Sequence, residues 1–241
     1  MSKFSLGVAM IMQNEETHIP AALAQFYSIV EDMVVVDGGS SDDSVMWAEK
    51  MGARVFRRPF EDDFSAQKNY AIEQLATDWV YFHDPDERLE PPLLELLPAL
   101  ASVEGQIDLM RADILPENAK LFDCIGIARK NYINGIQTDI YPDYQYRLFA
   151  NYCRFEGAVH EQVVNFKNRT ELDYKRPSAA RPKVKKEEGG GETIDTERGQ
   201  IETGVKYYDP DDMSRFNILH YKSGSKQKEQ DLRYQKIKER S

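Results

Sequence analysis

Two carboxylates one residue apart, Asp84 and Asp86 with Pro85 between them, close the short apolar run Trp79-Val80-Tyr81-Phe82. Four apolar, aromatic and β-branched residues suit a strand and are too few for a helix. Proline fixes its own φ and pushes the preceding residue towards extended geometry, so the chain leaves the strand here. Carboxylates this close repel each other unless a cation or a donor compensates. Hard divalent ions such as Mg2+ and Mn2+ take carboxylate oxygens and complete their shells with phosphates and water. Capture of a metal-bound diphosphate is therefore chemistry open to this strand end. For an isolated Asp-x-Asp a solvated acidic turn is the simpler account, because turns select Asp and Pro.

The elements that must position this pair decide between the two. Phe4 to Met12 reads as a buried strand running into Asn14-Glu15-Glu16, and Ile19 to Val30 carries apolar residues at helical spacing with Pro20 in the first turn. Met33 to Val36 is a continuous β-branched run of the kind found in parallel sheets covered on both faces. It stops at Asp37-Gly38-Gly39-Ser40-Ser41-Asp42-Asp43, a small acidic loop that can cap a helix carrying Val45, Ala48 and Met51. A strand at Ala53 to Phe56 and a helix over Phe64 to Leu75 precede Trp79. The resulting β-α-β-α-β-α-β order predicts a doubly wound sheet, in which ligands bind beyond the carboxyl ends of the strands. Asn14 to Glu16, Asp37 to Asp43 and Asp84 to Glu87 all fall at those ends, and three polar loops at one edge make a site.

Beyond Leu89 the pattern predicts a leucine-rich helix from Pro91 to Leu100 and a strand over Asp108 to Ile114. Leu121 to Phe166 mixes aromatic and polar residues without clean periodicity. Arg176 to Gly204 is low in complexity and reads as a mobile loop, Met213 to Tyr221 as strand or helix, and Ser225 to Arg240 as a charged helix docked on a surface. The expected division is a catalytic domain over 1–175, a loop over 176–206, and a C-terminal segment over 207–241.

Composition narrows the classes. The 241 residues carry a net charge of -10, which argues against a nucleic-acid binder needing a basic face, yet leaves room for a nucleotide whose charge a metal offsets. Cys124 and Cys153 sit in no metal-ligand or redox spacing and suit a reducing compartment. No apolar run reaches the ~18 residues of a transmembrane segment, and the N-terminus lacks a signal-peptide pattern, so a cytoplasmic protein is expected. Lys183, Lys185 and Lys186 offer peripheral membrane contact, which the adjoining Glu187 and Glu188 weaken.

Taken in order, the apolar strand into Asn14-Glu15-Glu16, Val34-Val35-Val36-Asp37-Gly38-Gly39-Ser40-Ser41-Asp42, Phe64-Ser65-Ala66-Gln67-Lys68-Asn69-Tyr70-Ala71, Asp78 to Leu89, Tyr146-Arg147-Leu148-Phe149 and Gly157-Ala158-Val159-His160-Glu161 resemble the family-2 glycosyltransferases of the GT-A fold. Within them the chain is most similar to the small bacterial branch that includes lipopolysaccharide-core glucosyltransferase-like proteins. The resemblance implies a Rossmann-like, mainly parallel α/β sheet flanked by helices, with a less regular acceptor side. It implies sugar transfer, with inversion, from a nucleotide-sugar donor (a UDP-sugar favoured) to a glycan, lipid-linked or small-molecule acceptor. Asn14, Asp37, Gly38, Lys68 and Asp84 match the nucleotide side, and Asp86 matches the principal ligand of Mn2+ or Mg2+, with Asp84 beside it. Pro85, where small residues are common, and His83 depart from the pattern without removing a carboxylate. His160 and His220 are candidates for a further metal ligand. A base is needed on the opposite face of the sugar; Glu161 is the first candidate and Asp143 the second. Arg147 suits either a bidentate clamp on a phosphate or carboxylate, or a brace for the acidic loop. The competing classes are a degenerate nucleotide- or glycan-binding module, which would have lost a ligand or the base, and a nucleotidyltransferase, whose glycine-rich basic loop is absent after the first strand. A phosphoacceptor built on Asp37 would want catalytic neighbours that Gly38-Gly39-Ser40 does not supply.

Overall fold

A computed structural model describes residues 5–112, 124–159, 161–165, 184–186, 192–194 and 217–239. In chain order the elements are β1 (Leu6–Met12), α1 (Ile19–Ala24), β2 (Asp32–Asp37), α2 (Ser44–Lys50), β3 (Arg54–Arg57), α3 (Phe64–Glu73), β4 (Trp79–Phe82), β5 (Glu87–Leu89), α4 (Pro91–Leu100) and α5 (Val103–Arg111). There follow β6 (Cys124–Ile133), β7 (Ile136–Gln137), β8 (Asp143–Ala150), β9 (Cys153–Glu156), β10 (Gln162–Asn165), β11 (Val184–Lys186), β12 (Glu192–Ile194), β13 (Ile218–Lys222) and α6 (Gly224–Lys238).

One sheet organises the molecule, in the order β3-β2-β1-β4-β8-β6-β13-β5, with β7 paired to β6 outside that path. Its first four strands are parallel, as the sequence pattern predicts. Alternation along β1 explains why both faces must be covered. Leu6, Val8, Met10 and Met12 join the core formed with Leu23, Phe26, Leu93 and Leu97, whereas Ala9 joins Val34, Val36, Ala71, Ile72 and Phe82 on the other face. Successive side chains of a strand point to opposite faces, so a run apolar at every position is stable only between two helical layers.

From β4 onwards the sheet is mixed. β8 runs antiparallel to both β4 and β6, β13 returns parallel to β6, and β5 closes the sheet antiparallel to β13. The stretch without clean periodicity thus supplies β6 and β8, whose inner ends are buried and outer ends are not. This gradient along each strand hides the period of two. The strand expected over Asp108 to Ile114 is helix α5 through Arg111 instead, with its last residues outside the described part. The reason is packing on α4: Leu109 joins the core of Leu97 and Leu100, and the buried Gln106 donates to the Leu100 carbonyl at 3.0 Å. Within the expected loop over 176–206, β11 and β12 pair as an antiparallel ribbon, and its other residues lie outside the described part.

Candidate active site

Asp37 ends β2 directly beside Met12, the last residue of β1. Its carboxylate is buried and accepts the Ser40 N–H at 3.0 and 3.3 Å, which folds the following turn back over the strand end. Gly39 holds φ 105°, a left-handed value that a side chain would strain. Gly38 donates its N–H to the Met12 carbonyl at 2.8 Å. Asn14 joins the two loops, accepting from Ser41 N–H at 2.8 Å and giving its own N–H to Ser40 Oγ at 2.9 Å. Beside this turn lies a cavity of about 260 Å³ lined by Asp37, Gly39, Ser40, Val45, Arg57, Arg58 and Pro59. Arg57 and Arg58 were not singled out from the sequence, although two arginines at a strand's carboxyl end are the available signal.

The acidic strand end rests on a buried ion network. Glu87 is fully buried, with Arg147 Nη2 at 2.7 Å and Arg129 Nη1 at 3.2 Å from one oxygen. Arg147 also engages the Asp84 carboxylate. Burial alone would raise Asp84, but the Arg147 guanidinium, reinforced by Lys68 and Arg129, outweighs it and holds the carboxyl far below its ordinary range. Arg147 in this geometry braces the acidic loop. His83 is buried with its ring edge-on to Phe26 at 5.0 Å, and burial brings its pKa down to about 4, so it packs as a neutral ring.

Asp143 belongs to the same network. It accepts from Arg129 at 3.0 and 2.7 Å, from Asn131 at 2.9 Å and from Gln145 at 2.9 Å. Burial would raise its pKa, but Arg129 and these hydrogen bonds prevail and hold it below the ordinary value. A carboxylate with a folded pKa below its unfolded value stabilises the fold above the unfolded pKa, and that contribution is lost as the pH falls through the folded value. Asp143→Asn is therefore expected to destabilise the protein at pH 7 by about 1–3 kcal/mol. The gap from wild type should close below pH of about 4, which urea unfolding across pH 3 to 7 measures; a gap unchanged with pH would exclude the charged interaction.

Asp86 faces His220, whose Nε2 lies 3.4 Å from Oδ2. Strand pairing sets this: β13 lies between β5 and β6, placing His220 opposite both Glu87 and Asn131, and the Tyr221 N–H donates to the Asp86 carbonyl at 3.0 Å. Asn131 spends its amide N–H on Asp143, so its Oδ1, 2.7 Å from His220 Nδ1, must accept. His220 Nδ1 therefore carries the proton, and in the neutral ring the Nε2 lone pair faces a carboxylate oxygen. A proton on Nε2 and a metal ion would each satisfy this pair. A carboxylate oxygen and an imidazole nitrogen fit Mn2+ or Mg2+ when diphosphate oxygens and water complete the shell. Among the described residues no group of three or more His, Cys, Asp or Glu gathers around an ion position, and His160 lies outside them.

Lys68 and Glu161, distant in sequence, form a third feature. Lys68 Nζ stands 3.2 Å from Glu161 Oε1, with both side chains 10% exposed, and lies 5.3 and 4.9 Å from the Phe82 and Phe155 ring centres. The motif around Lys68 explains the meeting. Asp63 caps α3 by accepting from Ala66 N–H at 2.9 Å. Ser65 Oγ donates to the Gly157 carbonyl at 2.6 Å, Phe64 N–H to Ala158 O at 3.0 Å, and the Asn69 amide exchanges two 2.8 Å bonds with the Phe155 backbone. One face of α3 thus fastens the 155–158 segment, and Glu161 meets Lys68 on the same helix.

A parallel α/β half with carboxylates at the ends of its second and fourth strands places a candidate ligand site at the carboxyl edge of the sheet. Residues 8–114 match the family described as Glycosyl transferase family 2. An uncharacterized glycosyltransferase of Rickettsia prowazekii is 34% identical over 166 residues, covering 64% of this chain and 56% of that protein. The lipopolysaccharide core biosynthesis glycosyltransferase LpsC of Rhizobium meliloti is 30% identical over 110 residues, 44% of this chain and 40% of that one. The chain spans less than two thirds of the length of the curated relatives it matches. Among solved structures, glucosyl-3-phosphoglycerate synthase from Mycobacterium tuberculosis, in complex with Mn2+, uridine diphosphate and glucosyl-3-phosphoglycerate, aligns with a TM-score of 0.37 at 20% identity, over 55% of this chain and 45% of that one. Among the described residues no helix is long and apolar enough to cross a membrane.

Proposed function

We propose that this chain is a metal-dependent, inverting glycosyltransferase that moves a sugar from a nucleoside-diphosphate donor, preferably a UDP-sugar, to a hydroxyl of a glycan, lipid-linked or small-molecule acceptor. The observation that carries the reading is convergence: the Asp37 cavity, the Asp86–His220 pair and the Lys68–Glu161 pair share the carboxyl edge of one sheet. Asp37 offers acceptor lone pairs to the N–H of a nucleobase. Asp86 and His220 are the residues that would hold Mn2+ or Mg2+, which when bound supplies Lewis-acid neutralisation of the departing diphosphate. Glu161 takes the proton of the acceptor hydroxyl, whose oxygen forms a bond to the anomeric carbon on the face opposite the diphosphate. The carbon–oxygen bond to the diphosphate breaks with its electron pair leaving on that oxygen, so the configuration inverts. Lys68 fixes the Glu161 carboxylate in place. Glu161 suits the role better than Asp143, because Asp143 is already engaged by four hydrogen bonds whereas Glu161 Oε1 accepts none of good geometry among the described residues. Cell-envelope glycan assembly in the cytoplasm, with or without contact at the membrane surface, is the setting we infer, and the name of the Rhizobium meliloti relative supports it.

Thermal shift with UDP, GDP and dTDP, each with and without Mn2+, tests this reading. Saturation at about a hundred times Kd corresponds to roughly 2.7 kcal/mol of stabilisation. One nucleotide should raise the melting temperature in a metal-dependent way, and Asp86→Asn should remove the metal-dependent part. No shift with any nucleotide in either condition would leave a non-catalytic module as the better reading.

A further inference from the structure

Helix α6 crosses the carboxyl edge of the parallel strands on a polar face. The residues it turns towards the body are Lys226, Gln230, Arg233, Tyr234 and Ile237, at helical spacing, while Leu232 is 59% exposed. A helix held by the hydrophobic effect would present an apolar stripe here. This one is held by contacts to the loops that frame the donor cavity. Lys226 Nζ lies 2.6 Å from both Glu15 oxygens in the loop between β1 and α1. Arg233 donates to Gln13 Oε1 at 3.3 Å, and its guanidinium sits 4.2 Å from the Phe60 ring centre. Gln13 and the Phe60 N–H both donate to the carbonyl of Gly38, the residue after Asp37, each at 3.3 Å. The Tyr234 ring meets Phe64 edge-on at 5.5 Å. Burial, followed by the negative charge of Glu161 and Asp84, pushes the Tyr234 hydroxyl up to about 12, so the helix extends from the Asp37 loop to within reach of these two carboxylates.

Charge gives this position a purpose. Asp37, Asp84, Asp86 and Glu161 already load the edge with carboxylates, and a nucleoside diphosphate brings more negative charge. Lys68 is engaged with Glu161, Arg147 with Asp84 and Glu87, and Arg58 with the Ala66 carbonyl, while Arg57 and Arg58 line the cavity wall at the Asp37 end. Arg233 forms no ion pair with a carboxylate among the described residues. A planar guanidinium already stacked on an aromatic ring is pre-organised for phosphate recognition.

We propose that α6 is a strap across the donor edge and that Arg233 is a donor-binding residue, its guanidinium meeting the charge of the nucleoside diphosphate. This rests on the glycosyltransferase reading above. Calorimetric titration of the full chain with UDP in the presence of Mn2+ tests it, using wild type, Arg233→Gln, Arg233→Lys and the exposed neighbour Leu232→Ala. Arg233→Gln should weaken UDP about tenfold, in line with loss of one charge-assisted contact, Arg233→Lys, which keeps the charge but not the planar fork, should recover part of the affinity, and Leu232→Ala should match wild type. Unchanged affinity in Arg233→Gln would overturn the strap and leave the enzymatic reading standing. Equal losses in the Gln and Lys variants would also overturn it, since they would mark a packing role rather than a charge. A wild type that binds no UDP would overturn both.

Discussion

Glu161→Gln is expected to lower turnover by about 10²–10⁴-fold, the usual contribution of a general base, while UDP affinity in the presence of Mn2+ stays at the wild-type value. The amide keeps the shape of the carboxylate but cannot take the acceptor proton. The separation of turnover from binding follows from position: Glu161 meets Lys68, whereas the Asp37 cavity and the Asp86–His220 pair are built from other residues. The substitution also leaves the Lys68 ammonium, 10% exposed, without its carboxylate, so the melting temperature should be recorded alongside to exclude misfolding. Steady-state kinetics with a saturating donor is the deciding measurement. Turnover close to wild type would remove Glu161 as the base, and a loss confined to UDP affinity would move it to the donor side.

The largest effect on stability is expected at Arg147. Its side chain is 4% exposed and bonds both Asp84 and the fully buried Glu87. Arg147→Met preserves much of the volume but leaves Glu87 leaning on Arg129 alone and Asp84 without its guanidinium. Removing one partner of a buried ion pair costs about 3–5 kcal/mol, because the remaining charge stays desolvated. Against a whole-domain stability of about 5–15 kcal/mol, that is a large fraction. Adding Glu87→Gln to Arg147→Met should recover part of the loss, since the stranded charge is its main cause. Urea unfolding of the single and double variants reads both quantities. A loss below about 1 kcal/mol for Arg147→Met, the range of an exposed ion pair, would contradict the buried-network account.

The same network marks where local sequence information stops. The parallel half was legible because its signals are local: β-branched runs buried on both faces, strands of the right length, and polar loops that recur after each of them. The carboxylates Asp37, Asp84 and Asp86 could be placed at strand ends by the same reasoning, since the hydrophobic run simply stops before each. The order of α3 motifs was legible too, although the purpose of Ser65 and Asn69 was not, because both bond backbone groups of a segment far along the chain. Helix α5 was misread as a strand since a short stretch with few apolar residues fits either period, and only its seat on α4 selects the helix.

What the chain by itself determined is therefore the place of a candidate site: polar loops at the carboxyl edge of parallel strands, carrying acidic groups of a kind suited to a divalent ion. What tertiary structure decided is the division of labour among the charged residues. Asp84 and Asp86 look alike in sequence, yet Arg147 engages one and His220 faces the other, because β8 and β13 arrive on different sides of the strand end. Lys68 meets Glu161, and Asp143 is drawn into the brace through Arg129. Charge interactions depend on distance and burial rather than on sequence spacing, so the pairing of these groups exists only once β4, β8, β6 and β13 lie side by side.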